Sequence, residues 1–445
     1  MGNEQTSRQV SEGGGAAASA TSTSLPDINA ETYPFDTVQH LLDQAAYLNL
    51  FSVPDRQSSP VAITSTERSG GVIGIRVSEV LHRFEVDVLP PTLEAGLRAT
   101  NVRGEAIAKF NHRWIIIPDD FRALPDREPP PTPLDPSRSQ RFVMLDGVCT
   151  FGGGKDGFRG FGTGITYPGE GNSELLAAAV GDILEGFGKL KGHEGTYTYC
   201  GTLSEHRGFT GNLLCRIMDP EGDLRTDGSL PALEAWPDPD PGITYIVLHG
   251  RKKDKNQKTT YRFGADGQVN GLNVTQQLRL LNVDSTTKGR GGLKGVKTLG
   301  PIIGNMTARI MFNLLNPGAP GTALAPIPFQ SYNEYTFFDR EGRPLGSFGA
   351  DGGEGRTFTM KLAGAPGQAA LRFGGFGPIV NGTGRFAGIQ GLMTDNSVVG
   401  IAPHALSTFY VLRIRDPEGK YRAAFREAPN RCERDMERLV DAARN

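Results

Sequence analysis

The sequence predicts an all-β protein: two tandem antiparallel β-barrel modules with a few peripheral helices. Three observations carry that expectation. Gly 59 and Pro 30 supply about one residue in five of 445, well above ordinary usage. Both are unfavourable in helix interiors, by about 1 and 3 kcal/mol respectively. Apolar residues recur in short alternating runs broken by Gly, Pro and Asp, the period of half-buried strands. The chain also repeats itself at a spacing near 197 residues, the signature of a duplicated unit.

Taken in order, residues 1–32 are rich in Gly, Ala, Ser and Thr with almost no large apolar side chains, the composition of a disordered tail. Val38, Leu41, Leu42, Ala45 and Leu48 then fall at helical spacing, with Asp36 placed as the cap. From there the period switches to two. The runs at 70–77, 83–89, 105–117, 141–147, 244–250, 331–339 and 408–414 read as strands about five to nine residues long. The Pro-rich segment 124–136 cannot pair in a sheet and is expected to cross the surface. A second boundary falls at 236–241, which divides the chain into modules 33–236 and 237–445. A last helix is expected over 431–443, capped by Asn430, with Met436, Leu439, Val440 and Ala443 on one face.

The repeat is carried by three segments in one order. RIMDPEG (216–222) returns as RIRDPEG (413–419), and the glycines of GKLKGHEG (188–195) return in GRFAGIQG (384–391). Gly104 with Ala108 and Lys109 matches Gly304 with Ala308 and Arg309. The first module adds SELLAAAV (173–180), which reads as one short helix capped by Ser173 or as a lid. Glycines at such repeated positions supply turns with positive φ and let strands bend at barrel corners. The tetrads Asp-Pro-Glu-Gly and Asp-Arg-Glu-Gly (339–342) read as tight turns between adjacent strands.

The segment GTGRFAGIQG (382–391) resembles the strand–turn–strand signature of the allene oxide cyclase and dirigent protein superfamily. The first module's copy, GFGKLKGHEG (186–195), keeps the glycines and replaces Arg-Phe with Lys-Leu. The resemblance implies a small barrel whose interior takes an apolar or phenolic molecule. It further implies that cyclisation or coupling is guided with few strongly acidic or basic groups and no metal. An eight-stranded barrel is wide enough for one small ligand.

Charge and cysteine usage exclude more than they select. Lys+Arg 47 against Asp+Glu 49 gives a net charge of −2, so no global field steers the chain to nucleic acid or anionic membrane. Cys149, Cys200, Cys215 and Cys432 show neither zinc-ligand nor CxxC spacing and read as free thiols in a reducing, cytoplasmic setting. The seven histidines show no paired spacing, so no metal and no cofactor are expected. GFRGFGTG (157–164) and KGRGGLKG (288–295) lack the Lys-Ser/Thr ending of a phosphate loop. No window is apolar enough to span a bilayer, and the N-terminus carries no signal peptide; Gly2 fits the short myristoylation pattern. Residues 251–297 are locally basic: a solvated face, or the seat of an acidic carrier or an anionic ligand.

Strand alternation nominates the site residues. His193, Tyr197 and Tyr199 share one face of 193–200, with Glu194, Thr196, Thr198 and Cys200 on the other. The tyrosines with His193 can orient a carbonyl or protonate an enolate, or they can simply pack a barrel. His112 shares a face with Phe110, Trp114 and Ile116, as a general base or as a satisfied core histidine. Glu334 falls opposite Tyr335 and Phe337, on what reads as a solvated face. His112, His193, Glu194, Tyr197 and Tyr199 are the candidates. The function they suggest is a cofactor-independent cyclase or isomerase acting on a hydrophobic polyene, fatty-acid or polyketide substrate in specialised metabolism. The alternative is a non-catalytic small-molecule carrier or interaction protein built on the same barrels.

Overall fold

In the computed structural model the described residues are 35–43, 45–55, 61–64, 73–85, 102–117, 139–151, 154–169, 174–204, 208–218, 234–235, 242–252, 259–263, 269–284, 296–312, 327–339, 341–361, 369–400 and 405–426. The tail 1–32, the segment 124–136, the boundary at 236–241, the helix over 431–443 and Cys432 lie outside them, as do most side chains of 251–297.

The chain forms two closed eight-stranded antiparallel barrels, as the composition and the repeat predict. The first sheet comprises β1 (Ala45–Pro54), β2 (Val61–Thr64), β3 (Ile73–Glu85), β4 (Val102–Ile117), β5 (Gln140–Phe151), β6 (Asp156–Pro168), β7 (Glu174–Phe187), β8 (Gly195–Ser204), β9 (Gly208–Met218) and β10 (Glu234–Ala235). β3 through β9 run in sequence around the wall, and β1 closes it between β9 and β3. The short β2 extends the β1 edge of β3, and β10 lies on β4.

The second barrel repeats this plan with β11 (Ile243–Arg251), β12 (Thr259–Phe263), β13 (Val269–Asp284), β14 (Val296–Phe312), β15 (Ile327–Phe338), β16 (Pro344–Lys361), β17 (Ala369–Val380), β18 (Gly391–Gly400) and β19 (Leu406–Arg415). There β11 closes the wall between β19 and β13. A helix, α1 (Phe35–Asp43), precedes the first barrel and a short one, α2 (Lys420–Arg426), follows the second.

The repeated glycines do in both copies what the sequence asks of them. A 3-10 turn joins β7 to β8 (Gly188–Leu190) and β17 to β18 (Gly384–Phe386). Gly188 and Gly384 have φ of 63° and 56°, and Gly192 and Gly388 have 83° and 79°, a region costly for residues with a Cβ.

Several local expectations are corrected. The strands run up to 18 residues: in β16 the register shift between Ala350 and Glu354 bends the strand without ending it. Residues 73–77 and 83–85 of the first two runs belong to one continuous strand, β3 (Ile73–Glu85). Residues 174–180 of SELLAAAV form neither a helix nor a lid but part of β7, hydrogen-bonded on both sides by β6 and β8, and Ser173 lies outside the described residues. Helix α1 ends at Asp43, and Ala45 and Leu48 belong to β1. The tetrad at 339–342 does turn β15 into β16, whereas that at 416–419 leads from β19 into α2. There the Asp416 carboxylate accepts from the backbone N–H of Tyr421 and Arg422 at 3.1 and 2.8 Å. The register also moves one link of the repeat: Glu79 faces Phe110 where Gln276 faces Met306, so His112 corresponds to Ala308 and Ala108 to Gly304.

The barrels pack side by side through β7 and β8 against β17 and β18. Ala178, Val180, Cys200 and Leu214 of the first join a core continuous with the second. Polar groups fix the alignment. Buried Arg372 meets Asp182 at 2.5 Å and donates to the Gly195 carbonyl. Asn396 donates to the Thr196 carbonyl at 2.8 Å, and Gln39 of α1 accepts from the Leu406 backbone N–H. Burial pushes the Asp182 carboxyl up to about 6 against the pull of Arg372. Among the described residues no helix is long and apolar enough to cross a membrane.

Candidate active site

The lumen of the first barrel is lined by large rings set against small residues. On β4, Ala108, Phe110, His112, Trp114 and Ile116 face inward while Lys109 and Asn111 are exposed. On β8, Tyr197 and Tyr199 face inward, and β9 adds Phe209, Leu213 and Cys215. Trp114 stacks on Phe142 with ring centroids 4.2 Å apart, and Tyr199 on Phe209 at 3.9 Å. The glycines of β6, far from cradling phosphate, make room for these rings. A Cβ on Gly160 would stand 2.7 Å from the Tyr197 ring, and one on Gly164 would stand 2.3 Å from Phe142.

Within this apolar packing lies one polar chain. β3 turns Ile75, Val77, Glu79 and Leu81 inward, so a carboxylate sits in an aliphatic stripe. The Tyr199 hydroxyl reaches from β8 and donates to Glu79 Oε1. His112 Nε2 lies 3.3 Å from Glu79 Oε2, and Trp114 Nε1 donates to His112 Nδ1 at 2.5 Å. An indole nitrogen can only donate, so Nδ1 accepts and the imidazole proton resides on Nε2, where it donates to the carboxylate. Glu79 thereby receives two donors, and all four side chains are fully or almost fully buried.

Burial first, then the Glu79 charge and hydrogen bond, hold the Tyr199 phenol well above its usual range, so it stays protonated. Burial also raises Tyr197, whose hydroxyl has no hydrogen-bond partner among the described residues and lies against Gly160, Gly162 and Gly181. The thiols of Cys149 and Cys215 are free and pushed up by burial, which makes both poor nucleophiles.

The structure therefore gathers three of the five sequence candidates, His112, Tyr197 and Tyr199, into one lumen. The other two stand apart. β8 begins only at Gly195, so His193 lies in the preceding turn, half-buried, and its strand face is not that of the tyrosines. Glu194 is exposed, 3.8 Å from Arg372 at the seam between barrels. Glu334 is exposed on the outside of β15, as its alternation predicts. The residue missed from sequence is Glu79, and its signal was the inward stripe Ile75-Val77-Glu79-Leu81, obscured by dividing β3 in two.

Among the described residues no group of three or more His, Cys, Asp or Glu side chains gathers as a metal site. A cleft of about 310 Å³ opens at the seam, lined among others by Arg141, Tyr167 and Asp351. It holds no comparable chain of proton-transfer groups.

Comparison with protein-family models finds no match, and comparison with curated protein sequences finds none. Among solved structures, the chain is similar to a nonspecific heme-binding cyclase that catalyses [4 + 2] cycloaddition during neoabyssomicin biosynthesis. Identity is 17%, the match covers 46% of this chain and 75% of that one, and the TM-score is 0.21. So slight a likeness carries no argument about the site.

Proposed function

We propose that the protein is a cofactor-independent cyclase or isomerase acting on a hydrophobic small molecule of polyene, fatty-acid or polyketide type, with its site in the first barrel. One observation carries the reading: a carboxylate, Glu79, held by a phenol and an imidazole inside a lumen otherwise built of aromatic and aliphatic side chains. A dry lumen strengthens every interaction of such a group with a substrate. The resemblance of 382–391 to the allene oxide cyclase and dirigent signature supports the same class.

In this reading Tyr197 donates its unpartnered hydroxyl to a substrate carbonyl oxygen. Glu79 removes a proton from the adjacent carbon and returns it to that carbon or along the conjugated chain, so atoms balance and no redox partner is needed. Tyr199 and His112 orient the carboxylate, and Trp114 fixes the His112 tautomer. The rings confine a flexible chain to a reactive shape, which lowers the barrier through proximity and orientation.

A specific observation favours the second reading, a non-catalytic carrier or interaction protein, in its form as an interaction protein that uses no cavity: the rings already touch, so a ligand must displace side chains to enter. One experiment separates the two. Parinaric acid, a conjugated polyene fatty acid, is titrated against tryptophan fluorescence as the binding probe; polyenyl ketones with a proton-bearing carbon between the carbonyl and the conjugated chain are then incubated with the protein, and products of unchanged mass are sought by chromatography. The catalytic reading expects an isomeric product that falls by about 100-fold or more in Glu79→Gln while the probe still binds. Binding without any isomeric product, from this or a panel of polyketide-like polyenes, establishes the carrier instead.

A further inference from the structure

The second barrel is not a degraded copy of the first. The register places Gln276 of β13 where the first barrel has Glu79, and Asp395 of β18 where it has Tyr199. The acid has moved from one wall of the lumen to another and has acquired different neighbours. Tyr410 of β19 faces Asp395 directly across the β18–β19 ladder, and Tyr335 of β15 stands edge-on to Tyr410, with centroids 5.4 Å apart and planes at 88°. Thr408 joins them, accepting from Gln276 Nε2 at 3.3 Å and from Ser397 Oγ at 2.9 Å.

This constellation is buried and incompletely satisfied. Asp395 and Gln276 are 5% and 3% exposed. Among the described residues, Asp395 Oδ1 and Gln276 Oε1 each lack a hydrogen-bond donor. Two buried acceptors without donors are costly, and a fold keeps such groups where something else supplies the donors. Both unpartnered atoms are acceptors, so the group that satisfies them is a donor. One is a carboxyl oxygen, and two perpendicular phenol rings present π-faces and edges beside it. An ion with several N–H donors satisfies the oxygens and is attracted by the rings.

We propose that the lumen of the second barrel is a binding site for a small protonated amine, held by Asp395 and Gln276 against Tyr335 and Tyr410. The titratable groups facing Asp395 are those two phenols, both held protonated by burial, while buried Lys252, next after the Arg251–Gln277 pair on β11, is held down to about 8 by burial. Burial raises the Asp395 carboxyl to about 7, opposed by a hydrogen bond from the Gly375 backbone N–H. Binding an ammonium ion then favours loss of the Asp395 proton, so affinity rises with pH through neutrality.

The test uses the full chain and methylammonium chloride, with sodium chloride at equal ionic strength and neutral formamide as controls. Binding is read by calorimetry and by chemical-shift changes of the Tyr335 and Tyr410 rings. Saturable methylammonium binding is expected, stronger at pH 8 than at pH 6 and weakened at least about tenfold, or 1.4 kcal/mol, by Asp395→Asn and by Gln276→Leu. Glu79→Gln in the first barrel leaves this binding unchanged, so its outcome is independent of any turnover there. Asp395→Asn removes a buried ionisable group with little change of shape and is expected to melt no lower than the parent, so its loss of binding is not loss of fold. No saturable shift beyond that given by sodium chloride overturns the proposal. So does equal binding of formamide, or equal affinity in Asp395→Asn and Gln276→Leu.

Discussion

Arg216 and Arg413 occupy the same position in the two barrels, and each reaches out of its own wall into the other. Arg216 donates to the carbonyls of Ser407 and Leu42, both at 2.7 Å, and of Asn396 at 3.3 Å, with its guanidinium 5.3 Å from the Phe409 ring centre. Arg413 donates to Thr202 Oγ1 at 2.6 Å. The duplicated RI motif thus marks a pseudo-symmetric seam. Both arginines point away from their lumens, toward the partner barrel.

Arg216 is 1% exposed, and its removal takes a charged donor from three buried carbonyls on α1, β18 and β19. Arg216→Ala is expected to cost about 3 kcal/mol in urea unfolding. Arg216→Lys should recover less than half of that, because an ammonium cannot present the same fork. A loss under about 0.5 kcal/mol would show that the seam does not depend on this contact.

The Trp114–His112 contact makes a spectroscopic prediction. With the indole N–H donating to Nδ1, the His112 ring nitrogens should show the distinct ¹⁵N shifts of a fixed Nε2–H tautomer. Trp114→Phe removes the donor and should bring the two shifts together as the tautomers mix. Identical spectra for parent and variant would mean that Glu79 alone sets the tautomer.

Much of the architecture is legible in the sequence, because the repeat and the strand period are local signals. What escaped depends on what a residue packs against across the lumen. The Ala-rich run of β7 reads as a helix on propensity. Yet Ala177, Ala179 and Gly181 are small because they face rings, and a closed ladder outweighs a few tenths of a kcal/mol per residue. Leu48 fits the spacing of α1, but pairing with Cys215 of β9 claims it for β1. Glu79 was missed because a charged residue reads as a break in an apolar run, whereas its partners, Tyr199 and His112, lie 120 and 33 residues away. The inward faces of Tyr197, Tyr199 and His112 were readable from alternation alone.

The small-against-large packing of the first lumen is directly testable at Gly181, where a Cβ would lie 2.0 Å from Tyr197 Cζ. Gly181→Ala should destabilise by about 1–3 kcal/mol through overpacking. Combining it with Tyr197→Leu should cost less than the two changes added together, because the smaller side chain vacates the space. Strict additivity in chemical denaturation would place the strain elsewhere.

Asp395 gives the stability of the second barrel a pH dependence of unusual sign. Its carboxyl is raised from 3.8 to about 7, chiefly because burial penalises the charged form. Between those values the native state holds a proton that the unfolded chain has released, so stability falls as pH rises. Below the unfolded value both states are protonated and no cost arises; above the folded value the penalty is complete. Asp182 rises to about 6 at the seam and adds a slope of the same sign over a narrower range. Asp395→Asn should therefore stabilise the protein by a few kcal/mol at pH 8 and by little at pH 4, as read from unfolding midpoints across that range. If the variant gains the same amount at both values, Asp395 does not titrate in this window. If methylammonium is then added at pH 8, the parent should regain part of the difference and the variant none, since only the parent offers a carboxylate for the ion to neutralise.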